Sequence, residues 1–246
     1  MEFRNYLVMY INEREIEMKL QKLYSLTRQA VKNYDMIRAG DCIAIGVSGG
    51  KDSLTLLYAL AGLRKFYPEP FSLKAITVDL GYPEFDPKKI AGLCEELGVE
   101  YHIVRTRIKD MLPADSTPCS LCARLRKGAL NEKALEIGCN KIAYGHHMDD
   151  AVETMMLSLI YEGSFHSFEP VTHLERTGLT LIRPMIYIPE KDIIGFRNKM
   201  DLPVTGTGCP FEPETERAYV KSLLRDLDHH APGVRKRMLT AIRAVW

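Results

Sequence analysis

A chain of 246 residues that is 46% hydrophobic and 26% charged holds enough apolar material for one large α/β domain, or one domain with helical additions. A formal net charge of +1 excludes a globally basic nucleic-acid binder, so any polyanion site must be a local basic patch. Arg4, Glu13, Arg14 and Glu15 interrupt the first twenty residues and no later run approaches ~18 apolar residues, so neither a signal peptide nor a membrane span is expected; the protein is read as cytoplasmic, with no membrane partner.

Apolar residues at steps of three or four predict a helix over about Glu13–Ile37, broken by Ala39-Gly40-Asp41. Cys42–Val47 reads as a buried strand, and Leu54–Phe66 as a helix after a glycine-rich turn. A second buried strand runs Leu73–Leu80, followed by a loop with Pro83 and Pro87, a helix to Leu97 and a third strand at Glu100–Arg105. Leu121–Ile137 is helical, Lys141–Tyr144 is a short strand, and a helix opens near Asp149 with Val152, Met155, Met156 and Leu159 as its apolar stripe. A fifth strand is expected within Leu179–Ile188 and a helix at Glu190–Met200. The tail, Thr215–Val245, reads as two helices split by Ala231-Pro232-Gly233. Strands alternating with helices predict an α/β fold: a parallel sheet with helices on both faces and helical N- and C-terminal flanks. Residues 1–38 are expected to form the N-terminal helical extension, 39–200 the catalytic domain, and 201–246 a C-terminal helical segment. Nucleotides bind such sheets beyond the carboxyl ends of the strands, where strand order reverses.

Two motifs fall at that edge. Ser48-Gly49-Gly50-Lys51-Asp52-Ser53 joins the first strand to its helix. The glycines let backbone amides approach an anion, and the helix amino end adds unpaired N–H groups. Ser48 and Ser53 supply hydroxyls, Lys51 a cation, and Asp52 a carboxylate for Mg²⁺. The spacing differs from GxxxxGK[ST], which argues against a mononucleotide kinase or GTPase. Gly145-His146-His147-Met148-Asp149-Asp150 follows the fourth strand and opens a helix. Its aspartates suit a helix dipole or Mg²⁺, and its histidines suit phosphate contact or proton transfer. Asp79, ending the second strand, is placed near the nucleotide.

Six cysteines in a reducing compartment point to core, catalytic or metal roles. Cys119-Ser120-Leu121-Cys122, at a loop-to-helix junction, directs two thiolates at one metal, and Cys209 follows Gly206-Thr207-Gly208. Three thiolates suit an iron–sulfur cubane with one open iron, or a zinc with one exchangeable position. A closed four-cysteine zinc needs a fourth ligand, and a redox CxxC needs a thioredoxin-like context that is absent. Cys42, Cys94 and Cys139 read as small core residues. Arg124, Arg126 and Lys127, with Arg235, Lys236, Arg237 and Arg243, are candidate cations for nucleic-acid phosphates. Phe3, Tyr6, Leu7, Met9 and Tyr10 suggest a packing or homodimer surface.

Ser48–Ser53 resembles the SGGxDS signature of the PP-loop ATP pyrophosphatases, whose fold is adenine nucleotide alpha hydrolase-like and whose members cleave ATP between the α and β phosphates. The likeness narrows to the iron–sulfur-dependent tRNA 2-thiocytidine synthetases through Tyr34-Asp35-Met36-Ile37, Glu96–Tyr101, Cys119–Gly128, Gly145–Asp150, Ile182-Arg183-Pro184 and Leu223–Asp228. It implies a [4Fe–4S] cluster on Cys119, Cys122 and Cys209, which with Lys51 and Asp52 form the catalytic set. It also implies an ATP and Mg²⁺ site drawn from Ser48, Gly49, Gly50, Lys51, Asp52, Ser53, Asp79, Gly145, His146, Asp149 and Asp150. The implied substrate is a tRNA cytidine thiolated at C2, with sulfur from a cysteine desulfurase or another sulfide source. The rival readings are a lysidine-type ligase or amidating synthetase with a structural zinc, a 2-thiouridine synthetase, and a non-enzymatic sulfur or metal carrier.

Overall fold

The computed structural model describes residues 19–83, 85–112, 119–205 and 216–246. Cys209 and the apolar stripe from Phe3 to Tyr10 lie outside them. The first helix is described over 19–33 (α1) and ends before Asp35, whose φ of 47° falls in the left-handed region that a short polar side chain tolerates.

The central sheet has six strands: β1 (Cys42–Gly46), β2 (Ser72–Asp79), β3 (Glu100–Arg105), β4 (Lys141–Ala143), β5 (Val171–Leu174) and β6 (Leu179–Ile182). Their order is β3-β2-β1-β4-β6-β5, parallel throughout except that β5 runs antiparallel against β6. The chain steps outward from β1 through β2 to β3, then returns to place β4 on the other side of β1. Strand order therefore reverses between β1 and β4, where such sheets open a crevice.

Alternation along the strands sends side chains to two cores. Ile43, Ile45, Ala75 and Ala143 join the larger one, with α2 (Lys51–Leu63), α3 (Lys88–Glu96), α5 (Met148–Leu157) and α6 (Glu190–Lys199). Ala44, Ile76 and Ile142 face the opposite side, where Leu130 and Ala134 of α4 (Cys119–Glu136) cover them. The last two helices, α7 (Glu216–His230) and α8 (Val234–Arg243), pack against α5.

The strand expected within Leu179–Ile188 is β6, which ends at Ile182: Pro184 removes a ladder donor, and turns with Ile186 bonded to Arg183 and Ile188 to Met185 replace it. The buried run through Ile188 is thus compact coil, not strand. The antiparallel β5 was not foreseen, because Val-Thr-His-Leu is too short to show a period.

The amino ends of the central strands are locked by a buried ion pair. Lys141 Nζ lies 2.7 Å from Asp41 Oδ2, and Asn140 and the Arg38 backbone N–H donate to the same carboxylate. Burial opposes ionisation of Asp41, but Lys141 and these donors outweigh it and hold the group below the ordinary range. A depressed folded-state value means the stabilisation is fully present above the unfolded carboxylate pKa of ~3.9 and is lost as pH falls through the lowered one. Asp41→Asn is expected to cost about 3 kcal/mol at neutral pH. That deficit should shrink in acid, as denaturant titrations at neutral and acidic pH would check.

Candidate functional site

The phosphate loop is held from within. The Ser48 backbone N–H donates to Ser53 Oγ at 3.1 Å, the two hydroxyls lie 3.2 Å apart, and Ser53 Oγ donates to the Gly50 carbonyl at 2.9 Å. Gly50 caps α2 with no side-chain hydrogen bond, so the first-turn N–H groups are available to an anion. Gly49 has φ 84°, and a Cβ there would lie 2.2 Å from Thr205 Oγ1. Thr205 also donates its backbone N–H to the Gly49 carbonyl at 3.0 Å. The loop therefore requires glycine at this position both for conformation and for the segment laid on it.

The second element packs directly on the first. A Cβ on Gly145 would come within 3.0 Å of the Asp52 backbone, so glycine brings β4's continuation against the amino end of α2. His147 caps α5: its Nδ1 accepts from the Asp150 N–H, and Asp150 Oδ2 accepts from the His147 N–H. His147 Nε2 lies 3.7 Å from Asp52 Oδ1. Burial, reinforced by the charge of Arg183, lowers His146 to about 4. His146 is therefore neutral at pH 7 and supplies no cation to phosphate. Its ring lies 4.9 Å from Phe168, over which the Arg183 guanidinium sits at 4.8 Å.

Between these elements opens a cleft of about 350 Å³ at the β1/β4 reversal. Ser48, Asp52, Ser53, Gly145, His146 and Asp150 line one part; Val78, Leu80 and Phe85 form an apolar wall; Arg126 and Lys127 project from α4. Inside it, Asp52 Oδ1 and His146 Nδ1 are buried with no hydrogen-bond partner among the described residues. An orphaned carboxylate oxygen beside a phosphate loop fits a divalent cation. The cysteine pair opens the same helix that supplies Arg126 and Lys127, so CxxC lies within the first helical turn. Cys122 and Arg126, four residues apart, share one helix face. Cys119 is exposed and Cys122 half-buried. Among the described residues no three histidine, cysteine or carboxylate side chains converge on one point, and Cys209 lies outside them. Three thiolates remain the donor set that suits an iron–sulfur cluster.

Several expected site residues are placed elsewhere. Asp149 is buried away from the cleft lining, and its carboxylate takes the Glu190 N–H at 2.7 Å and Arg235 at 2.6 Å. It joins α5 to α6 and α8, and Arg235 is correspondingly no free cation for nucleic acid. Asp79 accepts the Gly81 N–H at 2.8 Å and stabilises the turn after β2. Arg237 donates to the Ala231 and Pro232 carbonyls, and Arg243 stacks on Tyr187. Sequence reasoning missed Glu190 of α6 and Arg217 and Lys221 of α7. Lys51 Nζ lies 3.1 Å from both Asp52 and Glu190, while Lys221 holds Glu190 at 2.9 Å. Burial opposes the charge of Glu190, yet Lys221 and Lys51 bring it to about 2. Arg217 lies 3.3 Å from Glu153 and 3.8 Å from Asp150. Only a generic signal marks Glu190, an acidic residue in the first turn of a helix.

Comparison with known proteins matches residues 13–206 to the PP-loop domain family. The chain is 38% identical to the tRNA-cytidine(32) 2-sulfurtransferase of Geobacter sulfurreducens over 91% of its own length and 90% of that protein. It is 40% identical to that of Geotalea uraniireducens over 88% of each. Among solved structures it superposes on the U34-tRNA thiolase NcsA from Methanococcus maripaludis with its [4Fe–4S] cluster: TM-score 0.78, 26% identity, 94% of this chain and 79% of that one. No helix among the described residues is long and apolar enough to cross a membrane.

Proposed function

Because this chain belongs to the PP-loop domain family, and within it to the family of the tRNA-cytidine(32) 2-sulfurtransferases, we propose that it uses ATP to activate the C2 oxygen of a tRNA cytidine and exchanges that oxygen for sulfur. The observation that carries this reading is the meeting of both nucleotide elements with the cysteine-bearing helix at one edge of the sheet. Arg126 and Lys127 reach the cleft from the helix that begins Cys-Ser-Leu-Cys.

The C2 oxygen attacks the α-phosphate, and the α2 N–H groups, Ser48, Ser53 and Lys51 receive the departing pyrophosphate. Such prepositioned donors lower the barrier because they need no reorganisation as charge develops. Asp52 and Asp150 would hold Mg²⁺, which when bound would offset the charge of the phosphates. Arg126 and Lys127 add positive charge on the side where tRNA approaches. Neutral His146, tilted against Phe168, borders the space left for a base. Cys119, Cys122 and Cys209 would hold a [4Fe–4S] cluster, which when bound would supply sulfur to C2, the displaced oxygen departing with AMP. Cys209 stands four residues after Thr205 in the sequence, and Thr205 is bonded to the phosphate loop. The target base must be unpaired, since C2 is not reachable within a stack.

In this reading residues 39–200 form the catalytic domain, 1–38 and 201–246 its helical flanks. The enzyme works in the cytoplasm and takes sulfur from a cysteine desulfurase or another sulfide source. Pyrophosphate release should require tRNA from cells lacking the enzyme, and fully thiolated tRNA should not stimulate it. A tRNA product carrying an amino acid at C2 in place of sulfur would favour the lysidine-type ligase, and the thiolation reading would fail.

A further inference from the structure

An ion chain runs from the phosphate loop into the C-terminal helices. It passes from Asp52 to Lys51 at 3.1 Å, from Lys51 to Glu190 at 3.1 Å, and from Glu190 to Lys221 at 2.9 Å. The Glu190 side chain is 17% exposed, and its backbone N–H is fixed by Asp149. Glu190 thus cannot follow Lys51 toward a ligand. One turn before Lys221, Arg217 of α7 engages Glu153 and Asp150, so a single face of α7 addresses both nucleotide elements.

We propose that Lys221 is a positioning residue for ATP, acting through Glu190 by taking over its charge when Lys51 swings to the phosphates. The inference rests on Lys51 being a phosphate ligand. Without nucleotide, Glu190 is shared by two lysines. Once Lys51 leaves, Lys221 alone keeps a largely buried carboxylate paired. If Lys221 is absent, Lys51 can leave only by stranding that charge, which is costly in a dehydrated site. Burial opposes the charge of Glu190, and the two ammonium groups outweigh it, so the carboxylate is held well below its ordinary range while they are in place.

The test is calorimetric binding of the Mg²⁺ complex of a non-cleavable α,β-methylene ATP to the full chain. Lys221→Met, which retains the apolar stem, is expected to weaken binding about fivefold, whereas Lys221→Arg keeps it within about twofold. In a Glu190→Gln background, where no charge can be stranded, adding Lys221→Met should change nothing further, and Glu190→Gln alone should not weaken binding. Thermal melts report whether each variant folds. An equal loss from Lys221→Met with and without Glu190→Gln would show Lys221 acting as a distant cation and overturn the proposal, as would no loss at all. A Lys51→Ala arm separates the premise: wild-type affinity there would remove Lys51 from the phosphates altogether.

Discussion

Lys51→Ala is expected to abolish adenylation, lowering tRNA-dependent pyrophosphate release by at least about 100-fold, while the protein keeps its fold. Removing one prepositioned donor from a site of developing negative charge has this order of effect. Among the described residues the Lys51 ammonium pairs with Asp52 and Glu190. Those pairs are about a quarter to a third exposed on the Lys51 and Asp52 side, and such pairs contribute at most roughly 1 kcal/mol to stability. Glu190 retains Lys221 in the variant. Thiolation should fall with activation, because an unactivated C2 oxygen is a poor leaving group. Pyrophosphate release at the normal rate in Lys51→Ala would remove the residue from the mechanism.

The parts of this site that could be read in the sequence are those whose chemistry is contiguous. Ser48–Ser53 carries glycines, hydroxyls, cation and carboxylate in one run between a strand and a helix, so its place followed from the alternation of elements. The two adjacent aspartates could not be told apart by spacing. On a helix, successive residues point about 100° apart, so Asp150 lines the cleft while Asp149 turns inward to Glu190 and Arg235. Basic residues were equally ambiguous: Arg126 and Lys127 reach the cleft, but Arg235 is consumed by Asp149. Glu190, Arg217 and Lys221 meet the motifs only through the packing of α6 and α7, and no local pattern encodes that contact. The strand within Leu179–Ile188 was legible but its end was not, because burial continues through Ile188 although turns satisfy the backbone beyond Pro184.

The cysteines carry the second large effect. Cys119→Ala, Cys122→Ala and Cys209→Ala should each remove the cluster, giving colourless protein where the wild type binds roughly four irons per chain. Cys42→Ala should retain it, since Cys42 lies at the amino end of β1, its sulfur 3.3 Å from that of Cys139. A colourless wild type binding one stoichiometric zinc would favour the ligase reading. The phosphate loop is held by hydrogen bonds among Ser48, Gly50 and Ser53, and the cysteine pair Cys119 and Cys122 opens a different element, α4. Losing them should therefore stop sulfur insertion without stopping activation.

The most direct measurement follows pyrophosphate and thionucleoside content together in Cys122→Ala, using anaerobic protein, ATP, sulfide and tRNA from cells lacking the enzyme. Two-site chemistry predicts substantial tRNA-dependent pyrophosphate release, with no thiolated cytidine found by mass spectrometry of the nucleosides. Wild-type enzyme in parallel should give both products. Thiolated cytidine formed by Cys122→Ala at the wild-type rate would show the cysteines to be structural, and would contradict the account.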